Sequence, residues 1–464
     1  MNSFHNFVFF LVVCASFGHL NRTSGYAVPN VPDSFDENTK TTSSYDETDP
    51  NVTDTWIDDD VPPTKPSGTT VQKVLNAFYE VSGVLAEVPR QILLLPIRFG
   101  FYPGIKRTQD EIPELVPFPC KKTSKYRKAT TVHQLRPEDI KVIASLGDSL
   151  TSANGAMAYS EDEMRLNYRG VSAMGGGQGN WRKYLTLANI VKEFSPKLLG
   201  YAIGSTDTNS PLAGLNMAEN GALDDALLQQ AKDLVRKIKK DPFIDYQNDW
   251  KLINILIGGN DICNEYCYVE SDKDSPDGHR KMLEATLSYL KAKLPKTFVN
   301  LIHVPDVLQL RKLKNIPFVC YAKHLVLCSC LFGGAEKTKA QSVEAMLRGY
   351  WREEEKIAEM SKFDSNDFTV VLQPFFLGAP SPDNVNTIFG QAPDLSLFAP
   401  DCFHFSQKSN ALVANALWNN MLEPVGNKTR GWQPLMERFL CPTENAPYFF
   451  TRRNSETFLR TGHQ

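Results

Sequence analysis

The sequence has no run of 18 or more consecutive apolar residues, so we expect no transmembrane anchor. Neither sign of charge dominates: the formal net charge is −3 over 464 residues, which gives no electrostatic reason to expect a nucleic-acid partner. Histidine is scarce, with 8 residues, and neither a Cys-x-x-Cys pair nor paired histidines at zinc-finger spacing occur. We therefore expect no metal site and no cofactor. The 42% hydrophobic and 22% charged residues that are present exclude a mostly disordered chain.

The N-terminal part of the chain differs from the rest. Residues 7–17 form an apolar run followed by small residues, which is typical of a signal-peptide core, with a buried N-terminal strand as the alternative. We therefore predict a signal peptide over 1–18 and secretion to the extracellular space. Residues 26–65 carry ten acidic and two basic residues and cannot bury a core, so we assign 19–69 to an acidic disordered arm or a propeptide. Because the closing residues RTGHQ are not apolar, we expect no lipid-anchor tail.

The cysteines support secretion. Of the 9 cysteines, Cys14 lies in the predicted signal peptide, and the even set that remains favours complete disulfide pairing, with the connectivity left open. Zinc ligation by the closely spaced pairs 263/267 and 328/330 is the weaker alternative. Three N-x-S/T sequons predict glycosylation at Asn21, Asn51 and Asn427. The eight remaining cysteines are Cys120, Cys263, Cys267, Cys320, Cys328, Cys330, Cys402 and Cys441.

Short apolar runs alternate with amphipathic stretches from about residue 138 onward. This alternation predicts one α/β domain over 138–425 with a five-stranded parallel sheet. A helical and irregular lead-in over 70–137 is expected to pack on this domain, and 426–464 form a C-terminal extension. The predicted strands are 142–146, 198–203, 252–257, 298–304 and 368–372, and the predicted helices are 70–95, 181–194, 222–240, 277–294, 336–361 and 407–421.

Three short motifs follow predicted strands. Ser149 lies in a Gly-Asp-Ser-Leu turn after the first strand, at the sheet edge where active sites collect; a helix N-cap is the alternative. Gly221 follows the second strand, where its N–H could donate to an oxyanion or the residue could be an ordinary loop glycine. Asn260 lies in a Gly-Gly-Asn-Asp turn after the third strand. Its amide could donate to an oxyanion, or it could be solvated in a β-turn.

A fourth motif precedes the last helix of the domain. Asp401 and His404 are three residues apart, so the carboxylate can hold the imidazole in one tautomer; a capped surface loop is the alternative. A serine at one sheet edge and an Asp–His pair on a later loop are the residue types that nucleophilic catalysis requires.

Together these motifs resemble the GDSL, or SGNH, hydrolase superfamily over residues 138–425. The stretches IASLGDSLTSANGA, RGVSAMGGGQGNW, IGGNDICNEYC and PDCFHFSQKSNALVANALWNNMLEPVGNKT look like the phospholipase B branch. The resemblance implies a three-layer α/β/α fold, catalysis by Ser149, Asp401 and His404, and an oxyanion hole from Ser149, Gly221 and Asn260. Asn220 departs from the family, which more often has a small residue before the glycine.

The resemblance also implies a secreted ester hydrolase that forms an acyl-enzyme on phospholipids and lysophospholipids and contacts lipid surfaces peripherally. Two alternatives stay open: a carboxylesterase that acts on non-phospholipid esters, and a catalytically silent lipid-binding homologue. Apolar residues that could contact acyl chains, or could equally be core residues, are Phe375, Phe376, Leu377 and Phe389.

Overall fold

The structure is a computed structural model. Predictions for the signal peptide, the acidic arm, the helix over 70–95, and Cys14, Asn21, Asn51 and Phe389 lie outside the described residues. The structure describes residues 105–121, 128–268, 275–333, 336–378, 384–387 and 390–464.

Four parallel strands form the central sheet in chain order: β1 (Ile140–Gly147), β2 (Trp250–Leu256), β3 (Thr297–Ile302) and β4 (Phe368–Gln373). Their residues are almost all buried, as expected when helices cover both faces of a parallel sheet. The register pairs the last residues of β1 and β2, so the two chain segments that follow these strands leave the sheet side by side.

The prediction of a fifth regular strand over 198–203 is wrong in the part of the chain that the structure describes. Leu199 makes a parallel bridge to Val142, but the chain then leaves the sheet and returns at Asn216, which bridges Ser145. Gly200 lies between, with φ +91° and so close to the carbonyl oxygen of Ile143 that a Cβ would come within 2.4 Å of it. A residue with that conformation and that close a contact cannot continue a regular strand.

Helices pack on both faces of the sheet. Val142 and Ile253 face one apolar cluster with α2 and α3, whereas Ile143 and Leu252 face another with α1 and α7. The helices are α1 (Leu187–Phe194), α2 (Leu227–Lys240), α3 (Pro276–Lys293), α4 (Phe318–Leu327), α5 (Ser329–Phe332), α6 (Glu336–Glu359), α7 (Gln407–Met421) and α8 (Arg452–Thr461); a separate antiparallel pair is β5 (Asn384–Thr387) with β6 (Gly390–Pro393).

Polar caps explain where α7 and α3 begin. The side chain of Ser406 accepts the backbone N–H of Ser409 at the start of α7. The side chain of Ser275 likewise accepts the N–H of Gly278, and Pro276 occupies the first position of α3, where a missing N–H costs nothing. In both caps the serine itself has an extended backbone conformation, and the helix begins at the next residue.

All eight cysteines that follow Cys14 form disulfides, which confirms the predicted pairing. Among the described residues no group of three or more His, Cys, Asp or Glu side chains could hold a metal ion. In the same ranges no helix is both long and apolar enough to cross a bilayer. The four bonds are Cys120–Cys441, Cys263–Cys328, Cys267–Cys330 and Cys320–Cys402.

Candidate active site

The end of β1 sets the position of Ser149. Gly147 has φ +150°, and a Cβ there would lie 2.2 Å from the carbonyl oxygen of Leu256, so only glycine fits between the two strand ends. The side chain of Gln230 on α2 accepts the Gly147 N–H at 2.8 Å and donates to its carbonyl at 2.9 Å. Two residues later the chain turns, and Ser149 is left 6% exposed at the carboxyl edge of the sheet.

Ser149, His404 and Asp401 form one hydrogen-bonded chain. The Nε2 atom of His404 lies 2.8 Å from the Oγ atom of Ser149, and its Nδ1 atom lies 2.5 Å from Oδ2 of Asp401. The other oxygen, Oδ1, accepts the backbone N–H groups of Phe403 and His404, both at 3.0 Å. Both oxygens of the Asp401 carboxylate therefore have hydrogen-bond partners. The carboxylate favours the His404 tautomer in which Nδ1 carries the proton and Nε2 faces Ser149 as an acceptor.

Two buried carboxyl groups, those of Asp401 and Asp148, interact electrostatically with His404. Burial opposes ionisation of Asp401, but the charge of His404 and the hydrogen bonds that the carboxylate accepts outweigh it and hold its pKa below the ordinary value. Burial raises the pKa of the Asp148 carboxyl to about 6, against the opposing effects of the Leu150 N–H and the charge of His404. When ionised, both carboxylates therefore place negative charge near the imidazole.

The loop that carries Asp401 and His404 is attached to α4. Cys402 has φ +58° and is bonded to Cys320 on that helix. His324, one turn further along α4, donates from Nε2 to the Cys402 carbonyl at 2.8 Å. A loop conformation that is unfavourable for a non-glycine residue is thus maintained by two contacts to one helix.

The two other predicted oxyanion donors are brought onto neighbouring loops. Asn260 donates from Nδ2 to the carbonyl of Ala222 at 2.9 Å, which uses one of its two amide hydrogens and ties its turn to the Gly221 loop. Gly221 has φ +72° and open space where a side chain would point. Asn220 has a contact of its own: its Oδ1 accepts the hydroxyl of Ser152 at 2.7 Å, so this departure from the family pattern links the Gly221 loop to the turn after Ser149.

A buried network lies behind these loops. His279 on α3 is fully buried, with Nδ1 3.1 Å from Oδ2 of Asp224 and Nε2 3.5 Å from Oε1 of Glu354. Burial opposes protonation of His279, but these carboxylates outweigh it and raise its pKa to about 9. Asp261, which follows Asn260, accepts the N–H of Asp224 at 3.2 Å, and burial followed by the charge of Asp224 raises its pKa well above the ordinary value. The network therefore joins the loops of Gly221 and Asn260 from inside the protein.

Sequence reasoning missed this network. Its members are far apart in the chain, and the spacing of His279, Asp224 and Glu354 matches no motif. The usable signal was weak: His279 lies two residues after the predicted start of an amphipathic helix and four residues before Leu283, so it is a histidine on the stripe that faces the core. Glu354 also contacts His303, whose Nδ1 lies 2.5 Å from its Oε2, so two of the 8 histidines have structural roles here.

A family model described as GDSL-like Lipase/Acylhydrolase matches residues 143–417, which include Ser149, Gly221, Asn260, Asp401 and His404. The chain therefore belongs to the GDSL-like lipase/acylhydrolase family. The match begins within β1 and ends within α7, so the lead-in and the C-terminal extension lie outside it.

Within this family the chain is similar to membrane-associated phospholipase B1. It is 41% identical to the protein of Rattus norvegicus over 334 residues, which are 70% of this chain and 23% of that protein. It is 38% identical to that of Homo sapiens over 337 residues, or 70% of this chain and 22% of that protein. The match thus spans less than a quarter of the length of these relatives. Among solved structures, an extracellular lipase from Streptomyces rimosus is 14% identical with a TM-score of 0.31, covering 60% of this chain and 99% of that chain.

Proposed function

We propose that this protein is a secreted serine ester hydrolase that cleaves acyl esters of phospholipids and lysophospholipids. The observation that carries the proposal is the chain of contacts from Asp401 through His404 to Ser149, with 2.5 and 2.8 Å between the paired atoms. Similarity to phospholipase B1 supports the substrate class. Four disulfides support an oxidising compartment.

We infer the following mechanism, which these contacts support. Nε2 of His404 takes the proton of Ser149 as the hydroxyl oxygen attacks the ester carbonyl, and Asp401 stabilises the imidazolium that forms. The tetrahedral oxyanion accepts hydrogen bonds from the N–H groups of Ser149 and Gly221 and from the free amide hydrogen of Asn260. His404 then protonates the leaving alcohol. In the second half of the cycle it removes a proton from water, which attacks the acyl-enzyme and releases the fatty acid.

Product analysis on purified secreted protein tests the proposed substrate. A phospholipid with differently labelled acyl chains should release labelled fatty acid, and a fluorophosphonate that reacts with serine hydrolases should label the protein covalently in the same preparation. Labelling without release from any phospholipid or lysophospholipid would favour a carboxylesterase that acts on other esters. Absence of both from folded protein would favour the silent lipid-binding homologue and overturn the proposal.

Asn260→Ala is expected to lower kcat by roughly a hundred- to thousandfold, or about 3–4 kcal/mol, and to change KM much less. The amide donates to an oxygen that becomes fully charged only in the transition state. Its loss therefore raises the free energy of the transition state more than that of the bound substrate. Part of the effect reflects the lost bond to Ala222, which positions the Gly221 loop. Steady-state kinetics on a soluble ester measure both parameters.

Asp261→Asn is the matched control because it changes the next residue in the same turn. Asparagine keeps an oxygen that can accept the Asp224 N–H, and the raised pKa of Asp261 shows that burial already disfavours its charge. We expect kcat to fall by less than about tenfold. A near-normal kcat for Asn260→Ala would instead mean that the turn is structural and that Asn260 is no oxyanion donor.

A further inference from the structure

A cavity of about 740 Å³ is lined in part by residues that flank Ser149 and His404 in the chain. Its lining includes Leu150, the residue after Ser149, and both chain neighbours of His404, Phe403 and Phe405. The Phe403 ring packs edge-on against the imidazole, with 5.2 Å between centroids. This volume is within the range of roughly 300–1,000 Å³ that is typical of sites enclosing one small molecule.

The walls are apolar, and the acidic groups among them are already engaged. Asp306 accepts the N–H of Leu308 and the side-chain amide of Gln309. Asp394 accepts the N–H and hydroxyl of Ser396 and pairs with Lys408, also in the lining, at 3.3 Å. The remaining carboxylate, Asp110, pairs with Lys106. A ligand in this cavity therefore finds mainly aromatic and aliphatic side chains, and the carboxylates among them already have hydrogen-bond or ion-pair partners.

One wall comes from the C-terminal extension. Trp432 packs edge-on against Phe376 and Phe405, with ring centroids 5.7 and 5.8 Å apart, and Leu435 lies three residues further on. Trp432 and Leu435 follow the segment that the family model matches. Another part of the wall precedes that segment and consists of Gln109, Asp110 and Ile112. The cavity is thus built partly from chain that is additional to the family domain.

Both added segments are held in place. Cys120–Cys441 joins the lead-in to the extension. Side chains of α7 hold the extension by its backbone: Asn415 accepts the Met436 N–H at 3.0 Å, and Asn419 accepts the Leu440 N–H at 2.8 Å. A wall fixed by a disulfide and by backbone hydrogen bonds gives the cavity a defined size rather than an adaptable one.

We propose that this cavity binds the acyl chain of the ester that Ser149 attacks, and that the lead-in and C-terminal extension set which chain lengths fit. The inference rests on the proposed function, because the ester carbonyl must lie at Ser149 for its chain to enter beside Leu150. It adds a location for the acyl chain and assigns chain-length selectivity to residues outside the family domain.

The test compares p-nitrophenyl acetate, butyrate, hexanoate and octanoate, below their solubility limits, with the purified full-length chain. If each buried methylene contributes about 0.8 kcal/mol, kcat/KM should rise about fourfold per methylene until the cavity is filled. Leu412 on α7 and Leu435 on the extension line the cavity from two elements. Leu412→Trp and Leu435→Trp should each lower the octanoate-to-acetate ratio of kcat/KM by at least about fifteenfold, the effect of two lost methylenes.

Leu459→Trp on α8 is the matched control, because this leucine is 54% exposed and is absent from the cavity lining. It should leave the ratio unchanged. Acetate hydrolysis within about threefold of the unmutated protein shows that a variant is folded and its catalytic residues intact. Two results would overturn the cavity proposal alone. One is an unmutated protein that hydrolyses the acetate ester but whose kcat/KM does not rise with chain length. The other is an unchanged octanoate-to-acetate ratio in the Leu412→Trp and Leu435→Trp variants. No hydrolysis of any ester by folded protein would overturn the proposed function itself.

Discussion

Ser149→Ala is expected to lower kcat for ester hydrolysis by about a millionfold and to abolish covalent labelling by a fluorophosphonate. The Oγ atom is the only side-chain oxygen that the structure places at hydrogen-bond distance from Nε2 of His404 within the described residues, so its removal leaves the base without a nucleophile to activate. Labelling followed by intact-protein mass spectrometry, together with kinetics on a soluble ester, measures both effects.

Ser145→Ala is the matched control for this substitution. Ser145 lies on β1, four residues before Ser149, and its hydroxyl is fully buried without a hydrogen-bond partner among the described residues. Removing an unpaired buried hydroxyl should leave both activity and labelling in place and should not destabilise the fold. If folded Ser149→Ala protein still reacts with the fluorophosphonate, another residue is the nucleophile and the assignment fails.

Asp401→Asn is expected to lower kcat by about ten thousandfold. An asparagine oxygen can still accept the N–H groups of Phe403 and His404, but its amide nitrogen would then face Nδ1 of the imidazole. Because an amide nitrogen donates, Nδ1 must accept, and the proton moves to Nε2, where it blocks removal of the Ser149 proton. The loss thus comes from the wrong tautomer and not from a disrupted loop.

Labelling kinetics separate these two explanations for Asp401→Asn. If the tautomer is responsible, the fluorophosphonate should react much more slowly than with the unmutated protein but should reach the same final stoichiometry, because every molecule keeps a folded site. A fraction of the protein that never reacts would indicate local misfolding. An unchanged kcat would show that Asp401 does not orient His404.

The sequence pattern predicts some features well because they depend on neighbouring residues. Alternation of apolar runs with amphipathic stretches predicts α7 over 407–421, and the structure has Gln407–Met421. It likewise predicts α3 over 277–294, close to the observed Pro276–Lys293. Predicted and observed helix boundaries differ most where another local structure precedes the helix. The helix predicted from 222 begins at Leu227 because a tight turn through Asp224–Ala226 precedes it.

The predicted fifth strand fails for a non-local reason. The run 198–203 is apolar enough for a strand, but Gly200 lies against the Ile143 carbonyl, which comes from an element more than fifty residues earlier. The chain leaves the sheet there, and Asn216 later takes the next bridging position on β1. Local pattern contains no information about which distant backbone a glycine must approach.

The sequence by itself determined the α/β class, the even set of cysteines, and the identity and order of Ser149, Gly221, Asn260, Asp401 and His404, because each of these is expressed in short motifs or in residue counts. Only the tertiary structure decided the four disulfide partners, the buried His279 network behind the Gly221 and Asn260 loops, and the cavity closed by the C-terminal extension. The hydrogen bonds of this network and the disulfides join residues from 37 to 321 positions apart, and contacts at such separations exist only once the chain has packed around its sheet.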